Sequence, residues 1–377
     1  MAAMAGARAR RYLPAALTGA LLAVAGFDIS YWIGALRSSP LAQDASIYYV
    51  AAQVGLAHGW NRIYDPTLQS QFLAGLHAGI TDPRFFLYAN PPPLAWLFAP
   101  LTLGPPLAAY LVFAALSVAA LLTAAILAAS PSRWMCILFV LGALAWYPAI
   151  YSLRLGQVSV LVAALVVFSR WLDRRGWPAL GGAVLALAII KPQLALLVGP
   201  CLLIAGKRRI FAGWLLATLS LVVASMLSLG PSGLRQYAEM LAVVHAVAFN
   251  ERFTLAALGA GDGLTTLLQG LAALLTLVVA YRIRQQGTAV VMAVGLLGGV
   301  LAAPYLHVDD FAVLVPAAWF LLAEGQSIAQ RLSLLPIAVT MELAWVLGPL
   351  PILASLTISL LLFLVPRQEQ PSMALAA

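Results

Sequence analysis

The 377-residue sequence has few charged residues for its length. Only 9% of its residues are charged, 63% are hydrophobic, and the mean hydropathy is +0.95. A typical soluble domain has about 25% charged and about 45–50% apolar residues. A soluble globule with this composition would expose too much apolar surface to water. The composition therefore excludes that class and predicts a polytopic membrane protein.

Cysteine is scarce, and the basic residues are not concentrated in one region of the sequence. Cys136 and Cys201 both lie inside apolar runs, where two residues form neither a disulfide framework nor a metal-ligand spacing. The formal net charge is +8, but the basic residues lie in short loops between apolar runs. This distribution excludes a nucleic-acid-binding surface. No repeat of 20–50 residues and no appended soluble domain is apparent in the sequence.

What the sequence has in abundance is long apolar runs. A helix needs about 20 apolar residues to cross a hydrocarbon core about 30 Å thick. We predict an all-α bundle of about twelve spans, forming one domain over residues 1–366, with a disordered cytoplasmic tail over 367–377. The proline-bounded segment 91–103 is predicted to be a re-entrant or interfacial helix. The predicted spans are 12–36, 104–129, 134–152, 157–172, 177–190, 192–206, 209–229, 262–284, 288–304, 311–323, 332–347 and 350–365.

The basic residues favour one orientation in the membrane. With the N-terminus on the cytoplasmic side, 14 of the 21 lysines and arginines lie on that side of the predicted spans. Cytoplasmic loops carry an excess of Lys and Arg in membrane proteins. We therefore predict cytoplasmic termini. Residues 37–90 and 230–261 are then long polar connections on the outer face, and long loops often carry function.

Asp44 opens the first candidate site. It follows the first predicted span and precedes Tyr48 and Tyr49, whose side chains suit the membrane–water boundary. A carboxylate in this position suits a general base for a substrate that arrives from the lipid or from outside. The alternative is a solvated aspartate that caps a helix, since helical sequence follows it.

Two more polar clusters interrupt the apolar pattern. Tyr88 and Asn90 precede three prolines, which suit the first turn of a helix, so this cluster forms a pocket mouth or only a rigid helix start. Between two predicted spans, Gly156 permits a tight turn and Gln157 offers a polar amide. Arg154 beside them binds either a substrate or lipid headgroups.

Lys191 and His307 mark the last two clusters. Lys191 lies between two apolar segments, where a lysine is unfavourable unless it is paired or faces an aqueous cavity. A functional role is the preferred interpretation, and snorkelling to the interface is the alternative. His307 lies beside Asp309 and Asp310, which suit metal binding, proton relay or contact with a sugar. Neither a cysteine nor a second histidine completes a familiar metal site there.

In their order along the chain, these motifs resemble glycosyltransferase family 87, a set of multi-pass sugar transferases of the GT-C type. The resemblance covers roughly residues 40–325. Two segments depart from the family pattern. The usual Tyr-Pro-Pro is here Tyr-Ala-Asn-Pro-Pro-Pro, and Asn-Gln-Ser-Leu is Asn-Glu-Arg-Phe-Thr-Leu from Asn250 onward. The motifs that carry the resemblance are Asp44 with Tyr48-Tyr49, Gly59 and Tyr64-Asp65; Tyr88 to Leu94 and Ala99-Pro100-Leu101; Gly156-Gln157; Gly181-Gly182 and Lys191-Pro192; Asn250 with Thr254-Leu255; and His307 to Phe311.

The resemblance implies a GT-C-like fold with short helices in a long first extracytoplasmic loop. It implies transfer of a hexose, a mannose-like sugar or arabinofuranose from a polyprenyl-phosphate donor to a hydroxyl of a lipid or glycan acceptor. The expected reaction inverts the anomeric centre and takes place at the outer face of the plasma (inner) membrane. Members include mannosyl- and arabinofuranosyltransferases of lipoglycan assembly.

The resemblance gives a role to Asp44, and the chemistry of the implied reaction gives roles to the other candidate residues. Asp44 maps onto the expected general base. The expected ligands of the donor phosphate are Lys191, Arg154 and His307, with Arg84 or Arg252 as substitutes. The expected sugar and acceptor contacts are Tyr48, Tyr49, Tyr88, Asn90, Gln157, Asn250 and Asp310, of which the last three either hydrogen-bond sugar hydroxyls or orient the cations.

A lipid-phosphate donor removes the usual need for a bridging metal, and no Asp-x-Asp motif is visible. We therefore predict no metal and no cofactor. The main alternative function is a multi-pass secondary transporter or flippase for a lipid-linked or anionic substrate. Transporters often carry internal repeats with paired broken helices. This chain has one such break, at Lys191-Pro192, without a counterpart.

Overall fold

The computed structural model describes residues 2–38, 44–76, 87–129, 133–245, 247–259, 261–324 and 326–365. In these residues every regular element is a helix, which confirms the predicted all-α class. The predicted tail over 367–377 and Arg84 lie outside the described residues.

The α-helices of the described residues are numbered in chain order. The first nine are α1 (Ala2–Ser38), α2 (Asp44–His58), α3 (Pro66–Gly75), α4 (Pro92–Phe98), α5 (Pro106–Ala128), α6 (Arg133–Leu144), α7 (Tyr147–Leu155), α8 (Ser159–Arg174) and α9 (Pro178–Ala186). The others are α10 (Val198–Ile204), α11 (Arg208–His245), α12 (Asp262–Arg282), α13 (Thr288–Ala302), α14 (Leu314–Ala323), α15 (Ile328–Leu332), α16 (Leu334–Glu342), α17 (Ala344–Leu347) and α18 (Pro349–Leu361). Short 3₁₀ turns cover Trp60–Arg62, Ala99–Leu103, Leu187–Ile190, Pro192–Leu194, Ala248–Glu251, Leu255–Leu258 and Val308–Val313.

Several of these helices are apolar enough to cross a membrane, as expected for a membrane protein. In the described part of the chain, 4 helices have the length and composition of a span, and the bent pair α6–α7 adds a fifth. The twelve-span prediction is not confirmed. The longest of the other helices in predicted spans, α8, has 16 residues, about 24 Å at 1.5 Å per residue. The four spans are Ala15–Ser38, Pro106–Ala128, Arg208–Val244 and Asp262–Arg282.

The segment 230–261 differs from the predicted polar connection. Gly230 has φ 59° and ψ −176°, a backbone conformation open to glycine, and Pro231 follows it. Helix α11 therefore kinks at Gly230 instead of ending there, and it continues to His245. The half beyond the kink lies against the candidate site described below.

The centre of the fold is helix α13, which is buried over Thr288–Leu301. Its glycines permit close approach, because a Cβ on Gly298 would come within 1.8 Å of the Thr276 hydroxyl on α12. Helix α2 is also buried over most of its length. The polar side chains at the start of α2 and of α13 therefore lie at least partly inside the protein, where a polar group without a hydrogen-bond partner is unfavourable.

Candidate active site

Asp44 is the first residue of the buried helix α2, and its side chain faces a cavity of about 110 Å³. Asp44 itself is partly exposed, while the residues that follow it in α2 are buried. The negative carboxylate at this helix N-terminus faces the positive end of the helix dipole. The residues lining the cavity are Asp44, Ile47, Tyr48, Leu87, Ala89, Asn90, Gln157, Met240, Val243, Val244, Val247, Asn250, Tyr305 and His307.

Gln157 reaches Asp44 because helix α7 ends in a tight turn. Gly156 adopts the left-handed conformation (φ 71°), and the Gln157 N–H donates to the Ser152 carbonyl over 2.8 Å. This pattern is the Schellman cap, in which glycine avoids the Cβ strain of positive φ. A Cβ on Gly156 would also lie 2.5 Å from the Cβ of Ala45. The turn therefore brings the Gln157 side chain directly beside the start of α2.

The side-chain amide of Gln157 joins three candidate residues. Its Nε2 donates to Asp44 Oδ2. Its Oε1 accepts from the Tyr48 hydroxyl over 2.5 Å and from Lys191 Nζ over 2.9 Å. The structure thus brings Asp44 and Tyr48 of α2 together with Gln157 and Lys191, which lie far from α2 in the sequence.

Lys191 lies behind Gln157, outside the residues that line the cavity. It is 2% exposed, and its ammonium group forms ion pairs with Asp310 and, over 3.1 Å, with Asp309. The Ser159 hydroxyl donates to Asp310 Oδ1 over 3.0 Å and lies 3.3 Å from Lys191 Nζ. Opposite charges in contact compensate each other, which a buried lysine requires. The predicted phosphate ligand Lys191 is therefore already paired inside the protein.

His307 and Asn250 form another part of the cavity wall. Asn250 Nδ2 donates to the Val244 carbonyl over 2.7 Å, so its Oδ1 faces His307 Nε2 at 2.9 Å. Because Oδ1 accepts only, this network assigns the proton to Nε2. The Leu306 N–H donates to the Asn250 carbonyl, which ties the two segments together.

The Tyr88–Asn90 segment serves mainly to shape the cavity wall. Tyr88 is fully buried, and its hydroxyl donates to the Pro91 carbonyl over 2.6 Å. Asn90 lines the cavity and donates to the Ile190 carbonyl over 3.4 Å, which links it to the segment before Lys191. Tyr49 points elsewhere, because its hydroxyl donates to the Gly104 carbonyl over 2.9 Å. Of these predicted contacts, the structure places Asn90 at the cavity.

The arginines predicted as phosphate ligands lie away from the cavity. Arg154 donates to the Tyr31 hydroxyl, and its guanidinium lies 4.5 Å from the centre of the Tyr31 ring. Arg252 lies 5.5 Å from the centre of the Trp345 ring. Both arginines therefore make cation–π contacts with aromatic side chains. Of the three predicted phosphate ligands, His307 is the one that lines the cavity.

Burial raises the pKa of Asp44 to about 6, and the nearby charge of Asp309 acts in the same direction. The hydrogen bond from Gln157 and the charges of His307 and Lys191 oppose this shift and favour the carboxylate. A carboxyl group with a pKa close to neutral pH suits a general base.

Three features of the site go beyond the roles that the sequence suggested. Asp309 and Ser159 complete the ion-pair cluster around Lys191. Tyr305 lines the cavity, and its ring centre lies 4.9 Å from that of His307. The half of α11 beyond the kink at Gly230 supplies an apolar wall. Asp309 and Tyr305 adjoin predicted residues, whereas nothing in the sequence connects α11 with Asp44.

In the residues that the structure describes, no group of three or more His, Cys, Asp and Glu side chains is placed to hold a metal ion. Metal independence stays a prediction.

The apolar helices and the buried polar cavity define a helical membrane protein with a candidate active site. A sequence model of glycosyltransferase family 87 matches residues 86–304, more than half of the chain. The chain therefore belongs to glycosyltransferase family 87 and is a membrane glycosyltransferase. No curated protein and no solved structure matches it. The match is shorter than the predicted 40–325, and Asp44, His307 and Asp310 lie outside it.

Proposed function

We propose that this glycosyltransferase moves a sugar from a polyprenyl phosphate to an acceptor hydroxyl, with Asp44 as the general base. The observation that supports this role is the placement of the Asp44 carboxylate. One oxygen, Oδ2, accepts from Gln157, and the side chain faces the cavity. A general base needs such a fixed position and direct access to the proton that it removes.

In the proposed reaction the acceptor oxygen attacks C1 of the sugar from the side opposite to the phosphate. The new C1–O bond forms while the bond between C1 and the phosphate oxygen breaks, which inverts the anomeric centre. The acceptor proton moves to Asp44, and the bonding electrons leave with the polyprenyl phosphate. A phosphate ester is a good leaving group, so the step needs one base and stabilisation of the developing negative charge.

The cavity offers separate polar and apolar walls for such a donor. His307, oriented by Asn250, is the proposed partner of the phosphate, because a protonated imidazole carries a positive charge and has two N–H donors, of which Asn250 engages one. The apolar wall suits the first carbons of a prenyl chain. Its residues are Met240, Val243 and Val244 of α11 and Val247, which follows the end of that helix.

The proposed location is the plasma membrane, with the cavity on the extracytoplasmic side and both termini in the cytoplasm. The distribution of lysine and arginine supports this orientation, because the positive-inside rule places most of them in the cytoplasm. A lipid-linked donor is also soluble in the membrane in which this apolar protein lies. The sugar is a hexose or arabinofuranose, and the acceptor is a lipid or glycan.

The proposal is tested with purified protein in liposomes. The protein is supplied with polyprenyl-phosphate mannose or polyprenyl-phosphate arabinofuranose and a set of lipid and glycan acceptors, and products are identified by mass spectrometry. We expect one glycosylated product with an inverted anomeric centre and release of polyprenyl phosphate. Movement of the donor across the bilayer without product would instead support a flippase.

The pKa of Asp44 predicts how the rate depends on pH. The base acts as a carboxylate, so activity is lost as the pH falls through its pKa of about 6. We expect kcat/KM to be nearly constant above pH 7 and to fall about tenfold per pH unit well below pH 6. The measurement is the initial transfer rate between pH 4.5 and pH 8. A flat profile over this range would contradict the assignment.

Removal of His307 tests the proposed phosphate contact. We expect His307→Ala to lower kcat/KM for the donor about 10–100-fold, because a charge-assisted hydrogen bond contributes about 1.5–3 kcal/mol. The matched control is His58→Ala, since His58 is exposed at the end of α2, with its ring 5.8 Å from that of Phe72. Equal effects of the two substitutions would remove His307 from the donor site.

A further inference from the structure

The buried Lys191 cluster determines which way the Gln157 amide points. Lys191 Nζ and the Tyr48 hydroxyl both lie within hydrogen-bond distance of the same Gln157 atom, Oε1. An ammonium group has three donors and no acceptor, so the atom that faces it must be an acceptor. The amide oxygen therefore points to Lys191, and the NH₂ group points to Asp44.

The opposite amide orientation is disfavoured at both ends. Rotating the Gln157 amide by half a turn would place its NH₂ against the Lys191 ammonium and its carbonyl oxygen against the Asp44 carboxylate. Two donors would then face each other at Lys191, and two acceptors would face each other at Asp44. Such unmatched polar groups are unfavourable in a buried site. The cation at Lys191 thereby makes Gln157 a hydrogen-bond donor to Asp44.

The two aspartates hold Lys191 at this place. Its ammonium contacts Asp310 and lies 3.1 Å from Asp309 Oδ2, and both carboxylates are fully buried. Pro192 follows Lys191 and favours an extended backbone at that residue, which has φ −146° and ψ 76°. The lysine thus has a fixed backbone and fixed ion pairs, and its ammonium group also contacts the Gln157 side-chain carbonyl and the Ser159 hydroxyl.

We propose that Lys191 is a positioning residue that fixes the Gln157 amide so that Gln157 holds Asp44 Oδ2. The inference rests on the proposed role of Asp44 as the base. It gives Lys191 a role different from the phosphate contact that its motif suggested. Lys191 acts through Gln157, and the donor phosphate is left to groups that line the cavity.

The charges of the Lys191 cluster also act on the Asp44 carboxyl group. One lysine faces two aspartates, which leaves an excess negative charge in the cluster beside Asp44. The charge of Asp309 favours the neutral form of Asp44, while Lys191 favours the carboxylate. The charged and titratable groups near Asp44 in the described residues are Lys191, Asp309, Asp310, His307, Tyr48 and Tyr305.

The first test separates positioning from phosphate binding by a paired substitution. Lys191→Met alone leaves two buried carboxylates without a cation, so we pair it with Asp309→Asn, which keeps the local net charge unchanged. We expect the double variant to lower kcat about 10–100-fold, with the donor KM changed less than about twofold, because small misplacements of a catalytic group have effects of this size. A rise in donor KM at unchanged kcat would overturn the proposal. Lys207→Met, at the chain's other lysine, is the control.

A thermodynamic cycle with Gln157→Leu sharpens this test. If Lys191 acts through Gln157, the paired substitution has almost no further effect on kcat once Gln157 is absent. Fully additive effects would show an independent role for Lys191 and would overturn the proposal.

The second test measures the pKa of Asp44 in a variant that keeps Lys191, so it does not depend on transfer activity. Gln157→Glu preserves the side-chain shape: one oxygen stays on Lys191 and the other replaces the N–H that faced Asp44. We expect the pKa of Asp44 to rise by at least about one unit, because two carboxylates then face each other. The pKa is read from the infrared C=O band of protonated Asp44, isolated by subtracting Asp44→Asn. An unchanged pKa would overturn the amide orientation. Absence of any transfer by the wild-type protein would instead count against the proposed function.

Discussion

Replacing Asp44 by asparagine is expected to lower kcat for sugar transfer about 10²–10⁴-fold, the usual contribution of a general base. Asparagine has nearly the same shape, and its carbonyl oxygen can still accept from Gln157. It has no basic site to take the acceptor proton. The donor KM should therefore change little, while the rate of product formation falls. The measurement is single-turnover transfer from the polyprenyl-phosphate donor that the wild-type protein uses.

Asp65 provides the matched control for this substitution. Its carboxylate accepts from the Thr67 and Leu68 backbone N–H groups at the start of α3, and it pairs with Arg62 over 2.7 Å. Asparagine is also a good N-cap, so Asp65→Asn should keep both the fold and the activity. Wild-type turnover in Asp44→Asn would remove Asp44 from the mechanism. Equal losses in both variants would indicate general damage to this region.

The second large effect is expected for Gly156→Ala, which adds one methyl group next to the proposed base. Alanine at φ 71° is strained by about 1–2 kcal/mol. Its Cβ would also lie 2.5 Å from Ala45 Cβ and 3.1 Å from the Tyr110 ring, and such overpacking adds about 1–3 kcal/mol. To relieve the clash, α2 must move away from the Gln157 turn. We expect the Tm to fall and kcat to drop about tenfold or more, because Asp44 moves with Ala45.

Gly176→Ala separates the clash from the backbone strain. Gly176 also has positive φ (84°), but a Cβ there would meet no atom within 4 Å. Gly176→Ala should therefore lower the Tm less than Gly156→Ala does, because it introduces backbone strain without a steric clash. It should leave sugar transfer unchanged. Similar Tm and kcat values for the two variants would contradict the close contact between Gly156 and α2.

Some features of the site follow from local sequence, and those were predictable. Gly156 before Gln157 indicates a tight turn, and the turn is present because positive φ suits glycine. The polar residues around His307 likewise stand together in the sequence, and Asp310 Oδ2 accepts from the His307 backbone N–H over 2.9 Å. A local motif needs only a few neighbouring residues, so its geometry can be inferred without the rest of the fold.

Other features depend on residues that are distant in the chain. Nothing in the sequence around Lys191 indicates that its ammonium pairs with Asp309 and Asp310, more than one hundred residues away. Arg154 has the charge expected of a phosphate ligand, yet its guanidinium packs against Tyr31 of α1. Whether a cation faces a cavity or a neighbouring side chain is decided by helix packing.

The apolar composition alone determined that the protein belongs in a membrane and that it is helical, because the bilayer leaves backbone polar groups few other ways to be satisfied. The length of each helix was not determined in this way, since short buried helices and membrane spans are equally apolar. The tertiary structure decided that Lys191 lies behind Gln157 and that the kinked α11 covers the cavity beside Asp44. Those outcomes depend on contacts between remote segments, and hydropathy carries no information about which segments meet.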